Sequence, residues 1–257
     1  MRIQQFALPG LWLCSVLSMN GSGHGPAFGL ATPTNPKGGW SADLSLMSRL
    51  GETRDGWMMR GGLGYGITRD LKISLSAPVV FQREVLPPGR FAGFMPMGGD
   101  VEVLSTWRFH RQNTGVGQRW ESAVIGGLLV GGPQAAERSK RVGGIAGAVT
   151  GYASREHYAW GGVTVQTRAA DAPVQRRQVF YSGVYGYRPA AWRRDQGWDW
   201  RLFGEMTGEQ STGSHRVFLG PSLLGVYKNY GISVGAQAPL NGGRERFRLS
   251  VNLAYFF

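Results

Sequence analysis

Histidine and serine are the side chains of this chain that could support hydrolytic chemistry. Its four histidines are His24, His110, His157 and His215, and only His215 has a serine beside it, Ser214. A serine nucleophile needs a histidine base that a third group orients, and the sequence offers no such group for this pair. The pair also falls in a predicted loop, where a histidine is ordinarily solvated. We therefore expect no enzymatic activity and no catalytic residue.

His24 is the one candidate metal ligand. If the mature chain began at His24, its terminal amine and imidazole could together chelate copper, because imidazole suits copper and zinc. A mobile terminal peptide explains the same residue, and no second histidine is near in sequence. The glycine-rich stretch 61–66 (GGLGYG) lies in a predicted strand without the helix that follows a nucleotide-binding loop. We predict no metal site and no cofactor.

Charged side chains form the larger set of candidate functional residues. They fall on the face opposite the apolar one in segments where apolar and polar residues alternate: Arg60, Lys72, Asp100, Glu102, Arg108, Glu121, Asp199, Arg201, Glu205 and Arg248. Both signs are present, so the residues could pair across an enclosed interior and fix the register of the strands. They could equally line a polar path whose charges select a solute. The sequence leaves both interpretations open.

Alternation with a period of two defines the elements that must position these charges. It is clearest at the C-terminus, where every second residue is apolar: Phe247, Leu249, Val251, Leu253, Tyr255 and Phe257. Similar runs recur about twelve times, and no apolar stretch downstream of the N-terminus reaches the length of a transmembrane helix. The pattern predicts an all-β, transmembrane antiparallel barrel of about twelve strands with an apolar outer face.

The placement of turns and aromatic residues supports a membrane barrel over a soluble β-sandwich or jelly roll. Most of the short predicted turns fall at even-numbered connections between strands. Short turns of outer-membrane barrels face the periplasm, so this pattern predicts that both termini are periplasmic as well. His110–Gln118 and Arg188–Gly197 are predicted as longer exceptions. Tryptophan and tyrosine gather at one end of the predicted strands, as in the aromatic girdle of a barrel, and this set includes Tyr158 and Trp160.

The N-terminal region is predicted to be separate from the barrel. Residues 1–23 combine one arginine, an apolar run and small residues, which is typical of a secretory signal peptide, and they contain the single cysteine, Cys14. Residues 24–39 are rich in proline and glycine and are predicted to be extended without regular structure. The barrel is then a single domain, residues 40–257, and no plug domain is predicted.

A net charge of +12 suggests anionic partners. We exclude nucleic acid, because no basic-aromatic binding module appears and the chain is predicted to be exported. The basic residues Arg138, Lys140 and Arg141 fall in a predicted external loop, where arginine could contact lipopolysaccharide phosphates. Ordinary solvated loop charge is the alternative.

Several segments resemble known outer-membrane proteins. The C-terminal run that closes on Phe257 resembles the assembly signal of such proteins, which implies the barrel-assembly machinery as a partner. Four segments are similar to a family of outer-membrane barrels related to those named for the meta-pathway of phenol degradation: GHGPAFGLATPTNPKGGWS, GWMMRGGLGYGITRDLKISLSAPVVF, VYGYRPAAWRRDQGWDWRLFGEMTGE and FLGPSLLGVYKNYGISVGAQAP. The resemblance implies the fold, the outer membrane and passage of small, often apolar molecules.

Two functions are consistent with these observations. The first is a passive conduit or binding barrel for small molecules, with a narrow or gated path because twelve strands lie between filled eight-stranded barrels and open porins. The second is a structural barrel that is sealed by its own salt bridges and contacts lipopolysaccharide.

Overall fold

Twelve antiparallel strands form a closed barrel in the computed structural model of the chain. The structure describes residues 25–32, 34–51, 56–80, 100–131, 142–168, 176–192, 197–211, 214–241 and 245–257. The strands are β1 Trp40–Gly51, β2 Gly56–Gly66, β3 Leu71–Val80, β4 Asp100–Gly115, β5 Gln118–Gly131, β6 Gly143–Ala153, β7 His157–Arg168, β8 Arg176–Tyr187, β9 Asp199–Ser211, β10 Ser214–Tyr227, β11 Tyr230–Pro239 and β12 Glu245–Phe256. Among the described residues, no helix is long and apolar enough to cross a membrane.

The barrel closes between its first and last strands. Each strand pairs with its neighbours in sequence, and β1 pairs with β12 from Ser41 opposite Phe256 to Gly51 opposite Glu245. Trp40 and Phe257 then exchange two backbone hydrogen bonds, of 2.7 and 3.0 Å. Closure leaves no free sheet edge, which is a requirement for strands that cross a bilayer. The predicted fold is confirmed.

The alternation in β12 separates the outside of the barrel from the inside. Leu249, Leu253 and Tyr255 are exposed on the outer face, whereas Arg248 and Ser250 are buried. The same alternation leaves many large apolar side chains exposed on the other strands, far more than a soluble monomer carries. An apolar outer face of this extent is suited to lipid.

The two ends of the barrel differ. At one end, the turn end, lie both barrel termini and the connections 67–70, 116–117, 154–156, 188–198 and 228–229. At the other, the loop end, lie the connections 52–55, 81–99, 132–142, 169–175, 212–213 and 240–244. The connection between β4 and β5 is shorter than predicted for His110–Gln118, since both strands continue to a tight turn at Val116 and Gly117. Gly117 adopts φ of 71°, which favours glycine.

Exposed aromatic side chains gather at the turn end: Trp40, Tyr65, Trp107, Phe109, Trp120, Tyr185, Tyr187, Trp198, Tyr230, Tyr255 and Phe257. Neighbouring rings contact one another, such as Trp40 with Tyr65 and Tyr230 with Tyr255. The prediction was wrong for Tyr158 and Trp160, which are buried inside the barrel. Their outward-facing neighbours in β7 include the small residues Ala159 and Gly161, so ring size alone did not identify the outer face.

We expect Phe257→Ser to reduce the amount of folded barrel in the outer membrane. Phe257 is exposed, stacks on Tyr255 and ends the apolar run of β12, so serine removes an aromatic anchor at the interface. Phe256→Ser is the matched control, because Phe256 faces the other way and is only partly exposed. Heat-modifiable migration of membrane fractions on gels measures the folded protein. Equal folded amounts for wild type and Phe257→Ser would contradict this prediction.

Candidate functional site

The N-terminal segment lies inside the barrel, and we call residues 25–39 the inner segment, of which Pro33 is outside the described residues. It contains no helix or strand, and the side chains of Ala27, Phe28, Leu30, Thr32 and Asn35 are buried. Gly38 and Gly39 join it to β2 through backbone hydrogen bonds with Gly66 at the turn end. This internal position was not predicted from the sequence.

Glu205 on β9 holds the far part of the inner segment. Its carboxylate accepts hydrogen bonds of 2.7 Å from the backbone N–H groups of Ala27, Phe28 and Gly29, and another from the hydroxyl of Ser222. The Glu205 side chain is 0% exposed. Hydrogen bonds to an ionised acceptor are stronger than those between neutral groups. The described partners of this buried carboxylate are therefore N–H and O–H donors, most of them supplied by the inner segment.

Three further side-chain contacts follow the inner segment toward the turn end. The Leu30 N–H donates to Ser182 Oγ at 2.9 Å, and Thr32 Oγ1 donates to the Glu121 carboxylate at 3.0 Å. Asn35 Nδ2 donates to Ser41 Oγ at 2.9 Å. Thr34 Oγ1 and Asn35 Nδ2 also donate to the backbone carbonyl groups of Arg69 and Gly64. Each of these hydrogen bonds involves a side chain, so the described residues from 27 to 35 are not held by strand pairing.

Glycines in the wall make room for the inner segment. A Cβ atom on Gly235 of β11 would lie 2.6 Å from Phe28 Cε2 and 2.9 Å from Ala27 Cβ. A Cβ on Gly162 would lie 2.9 Å from a methyl carbon of Leu30. Since real Cβ atoms do not approach other atoms this closely, these positions accept the segment because they lack a side chain. Glycine on the inward face is the sequence signal that could have indicated a bound segment.

Two charged clusters lie in the interior between the loop end and the middle of the barrel. Glu209 contacts Arg248 Nη1 at 2.6 Å and Arg49 Nη2 at 3.4 Å, and the Arg248 guanidinium stacks on Phe218, 3.3 Å from the ring centre. Closer to the middle, Glu102 accepts from Arg60 at 3.2 Å and from Ser76 at 3.3 Å. Sequence analysis did not single out Arg49, which lies in a less regular alternating run.

Two more clusters lie at the turn end. Arg108 and Arg119 each lie 3.0 Å from Glu121, and Arg108 also contacts Asp70 at 2.7 Å. Separately, Asp199 lies 2.7 Å from Arg188 and 3.1 Å from Arg201. The Arg201 guanidinium stands 5.3 Å from the centre of the Tyr158 ring.

The exposure of the inward-facing side chains varies around the circumference of the barrel. Asp43 lies on the inward face of β1, between buried Ser41 and Ser45, and its side chain is nevertheless exposed. Lys72 and Ser74 on β3 are partly exposed as well. Because these residues face inward, the interior beside them is not completely filled by side chains.

The opposite side of the interior is packed with apolar side chains that sequence analysis did not predict there. One cluster comprises Ala153, Tyr158, Trp160, Val184, Phe203 and Leu224. A second joins Leu30 of the inner segment to Ala123, Val149 and Phe180. A third contains Leu104, Leu129 and Ile145. The apolar clusters thus lie on β4 to β10, whereas the more exposed inward-facing residues Asp43, Lys72 and Ser74 lie on β1 and β3.

The remaining predicted residues are in varied places. His24, the side chain of Asp100, and Arg138, Lys140 and Arg141 lie outside the described residues. His110 is exposed beyond the aromatic girdle, His157 bonds Tyr185 at 2.8 Å and His215 bonds Tyr181 at 2.7 Å. Within the described ranges, no group of three histidine, cysteine, aspartate or glutamate side chains could hold a metal ion.

The closed antiparallel sheet, its apolar outer face and its aromatic girdle define an outer-membrane β-barrel. The lipid-facing exterior places the chain in the outer membrane. The charged side chains lie on the inner face of the same strands, so the candidate functional site is the interior of the barrel.

Comparison with known proteins agrees at the level of fold. The NanC porin has a TM-score of 0.51 at 8% identity, over 83% of this chain and 98% of that porin. The KdgM porin has a TM-score of 0.49 at 10% identity, over 84% and 99% of the two chains. The beta domain of the Bordetella autotransporter BrkA has a TM-score of 0.41 at 12% identity, over 87% and 100%. No protein-family model and no curated protein matches the sequence. Membership of the family related to the phenol-degradation barrels stays a prediction.

Proposed function

We propose that this protein is a passive conduit for small molecules across the outer membrane, narrowed by its own inner segment. The observation that carries the proposal is the way in which the segment is held. Its residues 27–35 contact the wall through side chains such as Glu205, Ser182 and Glu121, so these residues can leave without breaking any strand pairing of the wall. A segment that can leave an otherwise intact barrel is suited to control passage.

The more exposed part of the interior supports the same proposal. Inward-facing Asp43 is exposed and Lys72 is partly exposed, while residues 27–29 of the inner segment pack near β8 to β11. Release of the segment would widen the accessible region toward the apolar clusters. A widened lumen with one polar and one apolar side could pass small molecules that carry both kinds of group.

The orientation is part of the proposal. Short turns of outer-membrane barrels face the periplasm and longer loops face outward, which puts the turn end and both barrel termini in the periplasm. The inner segment would then enter from the periplasmic side. Arg138, Lys140 and Arg141 fall in the connection at the outer side, where lipopolysaccharide phosphates would meet them. The barrel-assembly machinery is the expected partner during insertion.

A reversible cross-link tests the conduit. We expect the double variant Ala27→Cys/Gly235→Cys to form a disulfide, because a Cβ on Gly235 lies 2.9 Å from Ala27 Cβ, and a small shift reaches the usual 3.5–4.5 Å. Oxidation should slow the swelling of proteoliposomes in a small neutral sugar, and dithiothreitol should restore the faster rate. The segment fixed against β11 cannot leave the lumen, whereas the reduced segment can.

The two single-cysteine variants are the controls, since neither can close the cross-link. Gly235→Cys also shows the effect of crowding Phe28, Ala27 and Ser222 without a cross-link. Cross-linking in full yield without any change in swelling would overturn the role of the segment. A barrel that is folded but impermeable in every redox state would exclude the conduit.

A sealed structural barrel is the second candidate, and the buried ion pairs favour it. Glu209 with Arg248, and Glu102 with Arg60, could close the lumen near the loop end without any transport. Under that function the purified protein would show no flux in either redox state, yet it would bind lipopolysaccharide. Loss of that binding on Arg138→Ser/Arg141→Ser would identify the external connection as the contact.

A further inference from the structure

Glu205 presents an unusual environment for a buried carboxylate. It is fully buried, and its described donors are three N–H groups of the inner segment and the Ser222 hydroxyl. If the inner segment leaves, three of these four hydrogen bonds are lost. An uncompensated buried charge is costly, so the vacated position requires either water or a ligand that brings donors of its own.

The position beside Glu205 is shaped for an aromatic ring. Phe28 is buried, and its ring lies against Gly235, where a Cβ atom would come within 2.6 Å of Cε2. Phe28 N–H is also one of the three donors to Glu205. Phe28 thus supplies both a hydrogen-bond donor to the Glu205 carboxylate and an aromatic ring that fills the space beside Gly235. We call this position the Glu205 recess: Glu205, Ser222 and Gly235.

We propose that the Glu205 recess is a binding site for small aryl-alkyl ammonium compounds, and that the inner segment occupies it as an internal substitute. This inference rests on the proposed conduit function and names the class of solute that it would select. An ammonium group carries three N–H donors, the same number that the segment offers to Glu205. A short alkyl link then places a phenyl ring where Phe28 lies.

Opposite charge should decide which compounds bind. A compound with the same ring and a carboxylate in place of the ammonium would meet the Glu205 carboxylate, and like charges in a buried site repel strongly. A neutral alcohol of the same length can donate only one hydrogen bond. The recess should therefore prefer 2-phenylethylamine to 2-phenylethanol, and both to 3-phenylpropionate.

The test uses the full-length barrel in detergent with these three probes. Binding is measured by calorimetry, and displacement of the segment by the rate at which a maleimide labels the single variant Ala27→Cys, which leaves Gly235 and the rest of the recess unchanged. We expect 2-phenylethylamine to bind about tenfold more tightly than 2-phenylethanol, the effect of one charge-assisted hydrogen-bonded contact, and to speed the labelling of Ala27→Cys. 3-Phenylpropionate should do neither.

Variants separate the recess from a general effect of the interior. Glu205→Gln should remove the preference for the amine over the alcohol, and Ser222→Ala, which keeps the charge, should retain most of it. Glu102→Gln removes another fully buried carboxylate, whose described partners are Arg60 and Ser76, and should retain the tenfold preference. If Glu205→Gln does not fold, the inference is tested by the order of affinities of the three probes for the wild-type barrel.

The outcomes also separate this inference from the conduit itself. Equal affinity for amine and carboxylate in wild type, or a preference that survives Glu205→Gln, would overturn the recess while redox-controlled swelling still supports the conduit. Selective amine binding by a barrel without flux would support the recess and exclude the conduit. Binding of the amine without faster labelling of Ala27→Cys would show that the compound occupies another position, and would overturn the inference.

Discussion

Removal of residues 25–32 is expected to raise the permeability of the barrel by at least about tenfold. A hydrogen bond to a charged group contributes roughly 1.5–3 kcal/mol, and about 1.4 kcal/mol changes an equilibrium tenfold. Glu205 accepts three such bonds from this part of the chain. Even a fraction of their net free energy therefore keeps the segment in the lumen most of the time. The measurement is swelling of proteoliposomes in a small neutral sugar, together with single-channel conductance.

The barrel without residues 25–32 should still fold, because the twelve strands pair with one another from β1 to β12. Heat-modifiable migration on a gel checks this before any flux is measured. Val116→Ala is a suitable control variant, since Val116 lies in the exposed turn between β4 and β5. Equal permeability of the folded shortened barrel and the wild type would show that the inner segment does not limit passage.

The second large effect concerns stability. Glu209→Ala should lower the free energy of unfolding by about 3–5 kcal/mol, the usual effect of removing one partner of a buried ion pair. Glu209 contacts the guanidinium groups of Arg248, which is 2% exposed, and Arg49, which is 6% exposed. Without the carboxylate, the guanidinium groups of both arginines lose a buried anionic partner. Urea-induced unfolding in detergent, followed by tryptophan fluorescence, measures the loss.

Asp70→Ala is the matched control for this stability experiment. Asp70 also pairs with a buried arginine, Arg108, but its side chain is 49% exposed and Arg108 keeps Glu121 as a partner. Exposed ion pairs contribute roughly 0–1 kcal/mol, so this variant should unfold close to wild type. Similar losses for Glu209→Ala and Asp70→Ala would mean that burial does not set the contribution of these pairs.

Local sequence patterns are sufficient to predict the wall of the barrel. Successive side chains of a strand point to opposite faces, so the alternation from Phe247 to Phe257 indicates both a strand and its lipid-facing side. Short turns at alternate connections then indicate an antiparallel arrangement of sequential neighbours. These signals are local, each lying within about a dozen residues, and a single sequence is sufficient to show them.

Some strand faces were not decided by local pattern. Tyr158 and Trp160 alternate with Ala159 and Gly161, and either face could have met lipid on grounds of polarity. Closure of the barrel settles the question, because Tyr158 and Trp160 complete an interior cluster with Val184 and Phe203. Aromatic residues at the end of a strand are expected at a membrane interface, and that expectation fails where the interior itself is apolar.

The contents of the interior depend on the folded barrel as a whole. The inner segment has no alternation, and its sequence combines proline and glycine with a few apolar and polar residues, which do not indicate an internal position. Its contacts with Glu205 join residues up to 178 positions apart. Which residues face each other across a lumen depends on the tilt and stagger of all the strands together. Periodicity within one strand determines its faces, whereas the pairing of Glu205 with the inner segment, and of Glu209 with Arg248, is fixed only when the barrel closes.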